Sequence, residues 1–458
     1  MIILGTNSIK DTGYDVDNSL RFNSGSSDYL ARTQGTPTSD KIGTISLWLK
    51  RSKLGNKRIL VNRNDSNIFF FLDFRSDDKL RFATNNESNS DLNLELSCNR
   101  VFRDTAAWYH IVYKIDTTQA TAGNRAKLYV NGVEETSFLT STIPAQNTPC
   151  YSFVSSVSNG HAIGAYYNGS AYSEFQDGYF AEFCYIDGTA LDATSFGEFD
   201  EDSGIWKPKN VSGLTFGNNG CYLDFQDASN LGNVVAGNST DFTENGLTAI
   251  DQSTDTCTTN FSTLNPLALT TRQTLSDGNL TGTSSSWSSA ISTIAITTGK
   301  WFAEVKYVDS TGNILVGVMD EKDMSSLTGS TAGLGFTTNS VGYYATGVKF
   351  IADSSSSYGA SYTANDIIGI ALDLDSGTKT VTFYKNGASQ GAINLPTGGT
   401  GTFFFAPGIY NGVSNANFGS PSFAISSGNT DGDGYGNFEY AVPSGYFSLC
   451  TKNLAEYG

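Results

Sequence analysis

The chain has 458 residues, with 28 Lys and Arg against 45 Asp and Glu, a formal charge of −17. Aromatic residues make up 12% and charged residues 16%, with 48 Gly and 9 Pro. This excludes a charge-rich disordered chain and disfavours a helical protein built on Ala, Glu, Lys and Leu. An all-β, turn-rich protein is expected, with two or three domains at about 150 residues each.

Net acidity without clustered Lys and Arg argues against nucleic acid as a partner. Two His exclude a His-rich metal site and leave only His110 or His161 for a hydrolytic triad. Cys98, Cys150, Cys184, Cys221, Cys257 and Cys450 show no paired spacing and read as reduced structural thiols. Met1-Ile2-Ile3-Leu4-Gly5 lacks a basic n-region and a long apolar core. No apolar run approaches the ~18 residues of a membrane span. Cytosolic synthesis without membrane insertion is expected.

Residues 1–208 hold short β-branched and aromatic runs between turn residues. Ile42 to Lys50 places Ile45, Leu47 and Leu49 on one strand face and Ser46, Trp48 and Lys50 on the other. Ile68 to Phe74 is apolar on both sides and predicts a central strand. Trp108 to Asp116 alternates, and Lys127 to Val133 runs into Asn131-Gly132, the strongest short hairpin signal. Gly178 to Ile186 is a further strand before Asp187-Gly188. This spacing indicates a β-sandwich or jelly roll.

Residues 209–267 read as a connector packed on its neighbours, with one strand at Cys221–Phe225 and anchors at Leu247, Ile250, Phe261 and Leu264. Residues 268–424 predict strands at Trp301–Val308, Ile314–Met319, Val341–Tyr344, Ile367–Leu374, Thr380–Tyr384 and Phe403–Tyr410, with a turn of helix near Asp320–Leu327. Residues 425–458 are Gly- and Asp-rich, then aromatic, and read as a tail packed on a domain. The expected fold class is thus all-β, two antiparallel jelly-roll-like β-sandwich domains in series.

Two resemblances follow from these motifs. Gly299-Lys300-Trp301-Phe302-Ala303-Glu304-Val305, the run Asp366 to Asp375, Val381 to Gly387, Ala406-Pro407-Gly408 and Asn417-Phe418-Gly419 resemble the ordered strands of a SPRY domain. That resemblance implies a bent β-sandwich that binds partners through surface loops without catalysis. Ser19 to Phe22 with Asp28-Tyr29-Leu30, Thr44 to Lys50, Trp108 to Val112, Leu128 to Gly132 and Gly178 to Phe183 are similar to laminin-G-like, concanavalin-A-like jelly rolls. The segment order, with Tyr222-Leu223-Asp224-Phe225, Asn260-Phe261, Leu264-Asn265-Pro266, Phe438-Glu439-Tyr440 and Pro443 to Tyr446, resembles structural proteins of marine tailed bacteriophages. The resemblance implies a life on a virion, among other virion proteins.

Glycan hydrolysis needs two carboxylates across the scissile bond. The nearest match to Glu-x-Asp-x-x-Glu is Glu198-Phe199-Asp200-Glu201-Asp202, but Ser203 stands where the last Glu belongs, so a solvated acidic turn is expected. Glu182 is the best-placed strand carboxylate, with no partner identifiable. His110 reads as a sheet-face residue and His161 as a turn residue. Laminin-G-like domains often carry calcium at the rim. Asp77 and Asp78 read as a hairpin turn, whereas Asn429, Asp431, Asp433 and Asn437 have spacing open to Ca²⁺. The twelfth position counted from Asn429 is Tyr440, with Glu439 one short, so an Asx/Gly turn is the competing expectation. Tyr166, Tyr167 and Tyr172 in GAYYNGSAY, and Tyr358 and Tyr362 in a Ser/Gly loop, are the candidate platforms for sugar rings. Gly333-Leu334-Gly335, with no following Lys or helix, is a turn.

The leading expectation is a non-enzymatic phage virion protein on the particle surface (fibre, tail-associated or head decoration), adhesive to host-surface glycan or protein. It would be a homo-oligomer that requires no cofactor. The alternatives are a jelly-roll glycosidase or lyase and a purely architectural subunit.

Overall fold

The computed structural model describes residues 11–63, 69–86, 89–150, 152–153, 161–309, 311–328 and 333–458. The chain divides into two compact units, the first spanning Thr12–Thr258 and the second taking in Thr259–Gly458. Each is a sandwich of antiparallel sheets. Among the described residues no helix is long and apolar enough to cross a membrane.

In the first domain one sheet runs in the order Val133–Glu134, Ala126–Val130, Trp108–Asp116, Ile42–Arg51, Gly178–Asp187, Ser19–Phe22 and Gln252–Ser253. The facing sheet runs Phe138–Thr142, Asn89–Val101, Lys79–Asn86, Phe69–Phe74, Lys57–Arg63, His161–Ile163, Tyr29–Arg32 and Thr243–Asn245. Alternation places Ile45, Leu47 and Leu49 from one sheet against Leu60, Phe70, Leu72, Phe74, Phe82, Leu94 and Leu96 from the other, all in one buried core. Phe69–Phe74 is an interior strand, as its two-sided apolar pattern predicts; Ile68, the start of that pattern, lies outside the described residues. The Asn131-Gly132 turn has φ of 48° and 78°, the left-handed pair that a tight hairpin requires.

The outer face of the first sheet is also covered. Trp48, Trp108, Val112 and Tyr179 pack beneath Phe196, Trp206, Val211 and Phe216. The segment 209–267, read from the sequence as a connector, is divided between the two units at Thr258, and its residues 209–258 supply strands to both sheets of the first. Cys221–Leu223 pairs with Gly178–Asp187, Thr243–Asn245 with Tyr29–Arg32, and Gln252–Ser253 with Ser19–Phe22. Asp255 accepts from the buried Lys50 ammonium at 2.7 Å and from the Trp108 indole at 3.1 Å.

In the second domain one sheet runs Leu264–Leu269, Ser288–Ser292, Phe403–Tyr410, Asn313–Asp320, Ser340–Tyr344, Val348–Ile351 and Ser354–Ser357. The other runs Thr274–Ser276, Thr281–Ser284, Gly412–Asn417, Lys300–Tyr307, Ile367–Asp373, Thr380–Lys385 and Ala388–Asn394. Trp301, Val305, Ile314, Val316, Ile368, Ile370, Phe403 and Phe405 fill the space between them. The expected helical turn is a 3-10 helix, Glu321–Thr328. The tail closes against this domain. Phe447–Ser448 adds a parallel strand to Lys300–Tyr307, Phe438 packs edge-on to Phe302 at 5.2 Å, and Thr451–Tyr457 is a short helix. All six Cys are free thiols, five of them buried.

Candidate functional site

The eight-stranded sheet of the first domain has an outer face of unusual composition. Register aligns Arg58, Asp73 and Arg81 in a row across three strands, and Val61, Phe71 and Ala83 in the next. Arg81 grips Asp73 with two hydrogen bonds, Nε to Oδ1 at 3.1 Å and a terminal nitrogen to Oδ2 at 2.8 Å. Arg58 donates to the same carboxylate and to Glu174 at 2.7 Å. Both guanidinium groups lie over Phe71, at 4.9 and 4.3 Å from its ring centre. Each such contact stabilises by about 0.5–2 kcal/mol. Asp73 is fully buried, so the ion pairs that neutralise it also hold the row in place.

The tyrosine hairpin stands at the edge of this face. Tyr166–Tyr167 pairs with Tyr172–Ser173. Between them the Asn168 side-chain oxygen accepts from the backbone N–H of Ser170 at 2.9 Å and of Ala171 at 2.8 Å, and Gly169 at φ 99° turns the chain. Tyr166 is turned toward the sheet. Its ring packs on the Val61, Phe71 and Ala83 cluster, under Arg58 and Arg63 at 4.9 and 5.5 Å, and its hydroxyl is hydrogen-bonded to Arg63. Tyr172 stacks on Tyr29 at 4.0 Å and 26°, and Tyr167 lies 4.8 Å from Tyr172. Burial raises the phenol pKa of Tyr29 and of Tyr172, so both stay protonated donors. Of the three tyrosines read from the sequence, Tyr167 and Tyr172 therefore form a partly exposed stack with Tyr29, while Tyr166 is their anchor.

Tyr29, Arg58, Arg63, Arg81 and Asp73 were not singled out from the sequence. The alternation of Arg with apolar residues in Lys57–Arg63 and Lys79–Asn86 was the available signal, but it became a site only through cross-strand register.

The second pair of tyrosines is split between the core and the partly exposed rim. Tyr362 is 5% exposed, and its hydroxyl donates to the Tyr343 carbonyl at 2.7 Å inside the core. Tyr358 packs edge-on to Tyr343 and Phe383 at 5.2 and 6.0 Å, with its hydroxyl on the Gly391 carbonyl. Polar neighbours made both look like surface residues, but only Tyr358 stays partly exposed, while the core closes over Tyr362. A further aromatic group of this domain gathers on Trp287, which is partly exposed and meets the exposed Tyr410 at 5.5 Å and the exposed Phe336 and partly exposed Tyr344 at 6.0 Å.

The proposed calcium ligands do not converge. Asp431 is turned inward, where its carboxylate accepts from the N–H of Asp433 and Tyr435, from the N–H and hydroxyl of Ser448, and from the Asn453 amide. A cation there would displace five donors. Asn429 bonds to Ser427 and the Glu439 carbonyl, Asp433 accepts from the Tyr457 hydroxyl, and the Asn437 N–H donates to the Gly419 carbonyl. The segment is a set of Asx and Gly turns. Among the described residues no group of three or more His, Cys, Asp or Glu is arranged to hold a metal.

The remaining polar candidates are structural. His110 lies between Trp48 and Trp206; the Trp206 indole donates to its Nδ1 at 3.0 Å, which leaves the proton on Nε2, 2.9 Å from the Ser46 hydroxyl. Burial pushes its pKa down to about 3. His161 is buried against Arg32. Glu182 sits at a bulge with φ 50°; its oxygens accept from Tyr222 at 2.7 Å and Tyr14 at 3.2 Å, and burial pushes its pKa up to about 7. At 5% exposure it offers no face to a glycan. Asp78 is a turn residue at φ 64° that ties Arg51, Gly55 and Arg103 together. Asp200 caps the exposed turn at Ser203 and pairs with Lys207 at 3.1 Å.

Two family models match the chain. One, described as the concanavalin A-like lectin/glucanases superfamily, matches residues 24–183; the other, the SPRY domain, matches residues 300–419. The chain carries a concanavalin A-like domain and a SPRY domain in series. Among solved structures it is similar to the SPRY domain of human HERC1, at 15% identity over 33% of this chain and 96% of that one, with a TM-score of 0.28. It is also similar to a human SPRY domain, at 19% identity over 34% and 98% of the two chains, with a TM-score of 0.27. No curated protein matches.

Proposed function

We propose that this chain is a non-enzymatic surface protein of a tailed-bacteriophage virion, and that its concanavalin A-like domain adheres to host-surface glycan through the Tyr29–Tyr172–Tyr167 stack. That stack is the observation that carries the adhesive role. Two partly exposed phenols, Tyr167 and Tyr172, are held by a capped hairpin, and the third, Tyr29, by the sheet strand beneath it. Aromatic faces pack on the apolar faces of sugar rings, and the Tyr167 hydroxyl is itself fixed by donating to the Gly169 carbonyl at 3.0 Å. The superfamily description names both lectins and glucanases. A glucanase needs two carboxylates about 5–9 Å apart and open to substrate. Here Asp73 is closed in an ion-pair row and Glu182 is covered by two phenols, which favours binding over cleavage. The virion setting rests on the segment order and the connector and tail motifs. Other virion proteins and further copies of the chain are the partners it calls for, with no cofactor.

The test is retention of the purified chain on bacterial-surface polysaccharides with calcium present. Retention without shortening of the glycan is expected, with affinity reduced about tenfold, or about 1.4 kcal/mol, by Tyr172→Ala. Cleavage at enzymatic rates, abolished by Glu182→Gln, would replace the adhesin with a glycosidase or lyase. Absence of retention together with strong self-association would leave an architectural subunit.

A further inference from the structure

Lys50 and Asp255 face each other inside the covered outer layer of the first sheet. Their side chains are each 1% exposed, and Lys50 Nζ stands 2.7 Å from Asp255 Oδ2. Lys50 lies on Ile42–Arg51, an interior strand of that sheet. Its cross-strand partners are Trp108 and Tyr179, both buried, and Nζ stands 5.6 Å from the Tyr179 ring centre. Asp255 lies in the closing stretch of the domain, just before its end at Thr258. The Ser19 hydroxyl donates to the Asp255 backbone carbonyl at 2.6 Å, and the Trp108 indole donates to Oδ1 at 3.1 Å. Main chain and carboxyl group are thus both fixed, with Oδ2 turned to the amine.

A buried ion pair is costly to hold, because each ion gives up its hydration and their attraction recovers only part of that loss. Moving one proton from Nζ to Oδ2 gives a neutral amine beside a neutral acid and removes both buried charges. An amine and a carboxyl group held together in this way are also a reactant pair. Fixed intramolecular partners act at effective concentrations of about 10⁵–10⁸ M when the geometry is right. Trp108 adds a polarising donor. Its N–H points at Oδ1, the oxygen on which negative charge develops when an amine adds to the carboxyl carbon.

We propose that Lys50 and Asp255 condense to an intramolecular isopeptide bond that covalently closes the first domain. One proton passes from Nζ to Oδ2. The Nζ lone pair then forms the bond to Cγ, while the Trp108 indole stabilises the charge on Oδ1. A second Nζ proton passes to the Oδ2 hydroxyl, the Cγ–Oδ2 bond breaks, and water leaves. The product is a secondary amide with one hydrogen on nitrogen and Oδ1 as its carbonyl oxygen. Ammonium and carboxylate supply every atom, with no oxidant, reductant or cofactor. The bond joins residues 205 apart in sequence, so the interior strand and the closing stretch cannot part when the domain is stressed. It forms whether or not the tyrosine hairpin binds glycan.

The experiment is intact-mass spectrometry of the purified full chain, denatured and reduced, followed by peptide mapping. The wild-type chain is expected to be lighter than its sequence by one water. Digestion is expected to give one branched peptide that holds Lys50 and Asp255 together, with no tryptic cleavage after Lys50. Lys50→Arg keeps a cation but removes the primary amine, and Asp255→Ala removes the carboxyl carbon. Each variant is expected at its full sequence mass. The decisive mass is read on the wild-type chain, so it stands even where a variant fails to fold. A wild-type chain at its full sequence mass, with Lys50 and Asp255 recovered in separate peptides, would overturn the proposal and leave a buried ion pair. A water loss that maps instead to a succinimide at Asp187-Gly188 or Asp277-Gly278 would overturn it as well.

Discussion

The carboxylate of Glu304 accepts the backbone N–H of Tyr440 at 2.9 Å, fastening the tail to the central strand of the SPRY domain. The other oxygen accepts from the Glu439 N–H at 3.0 Å and the Asn417 amide at 3.2 Å. Glu304 is fully buried. Desolvation raises its pKa, and although the three donors pull it down, it stands at about 7 against an ordinary value of 4.5. The folded state therefore binds more protons than the unfolded one between pH 4.5 and 7, and stability falls as pH rises through that window, by about 3 kcal/mol in all. Wild type is expected to lose stability relative to Glu304→Gln across this window, measured by urea unfolding at stepped pH. Glu304→Ala is expected to accelerate amide exchange at Glu439 and Tyr440, since their donors lose the acceptor, at a cost of about 1–3 kcal/mol. Unchanged exchange at both amides would show that the tail is held elsewhere.

Asp73 is the hinge of the outer face of the first domain. Removing it takes away the carboxylate that pairs with Arg81 and leaves Arg58 with Glu174 alone, on a largely buried surface. Asp73→Ala is expected to cost about 3–5 kcal/mol in chemical unfolding. Glu174→Ala removes an exposed partner of the same Arg58 and is expected to cost less than about 1 kcal/mol. Equal losses would mean that the row does not act as a buried unit.

His110 should not titrate near neutrality. Its pKa lies at about 3 because burial disfavours the imidazolium, and the Trp206 indole already occupies Nδ1. Imidazole ¹⁵N spectra are expected to show the Nε2–H tautomer, unchanged from pH 8 to pH 5. Acidification through the unfolded-state value near 6.5 then weakens the fold, because the unfolded chain takes up the proton that the folded one refuses. A titration midpoint above pH 5 would contradict the buried stack.

Local chemistry made much of the architecture legible. Alternation in Ile42–Arg51 and Trp108–Asp116 assigns faces because side chains along a strand have period two. The Asn131-Gly132 and Asn386-Gly387 pairs mark hairpins because both residues must take positive φ, and all four do. The ordered SPRY motifs survive in the sequence because each is one strand and its turn. The candidate site was legible only in part. Tyr167 and Tyr172 were visible as aromatics in a polar loop, but Tyr362 has the same local setting and is a core residue. Composition within ten residues does not distinguish a rim from an end that folds shut.

The sequence by itself determined the fold class, the strongly alternating strands such as Ile42–Arg51 and Trp108–Asp116, the Asn-Gly turns and the two domain types, since these depend on periodicity, backbone sterics and short motifs. Tertiary structure alone decided which residues act together. Arg58, Asp73 and Arg81 form one row because three strands pair in that register. Tyr29 meets Tyr172 across a long stretch of chain, and Asp431 is closed by Ser448 and Asn453 rather than opened to a cation. Residues 209–258 complete two sheets because unpaired strand edges, not local propensity, offered them partners. Hydrogen-bond satisfaction and burial are properties of contacts distant in sequence, and no local pattern encodes them.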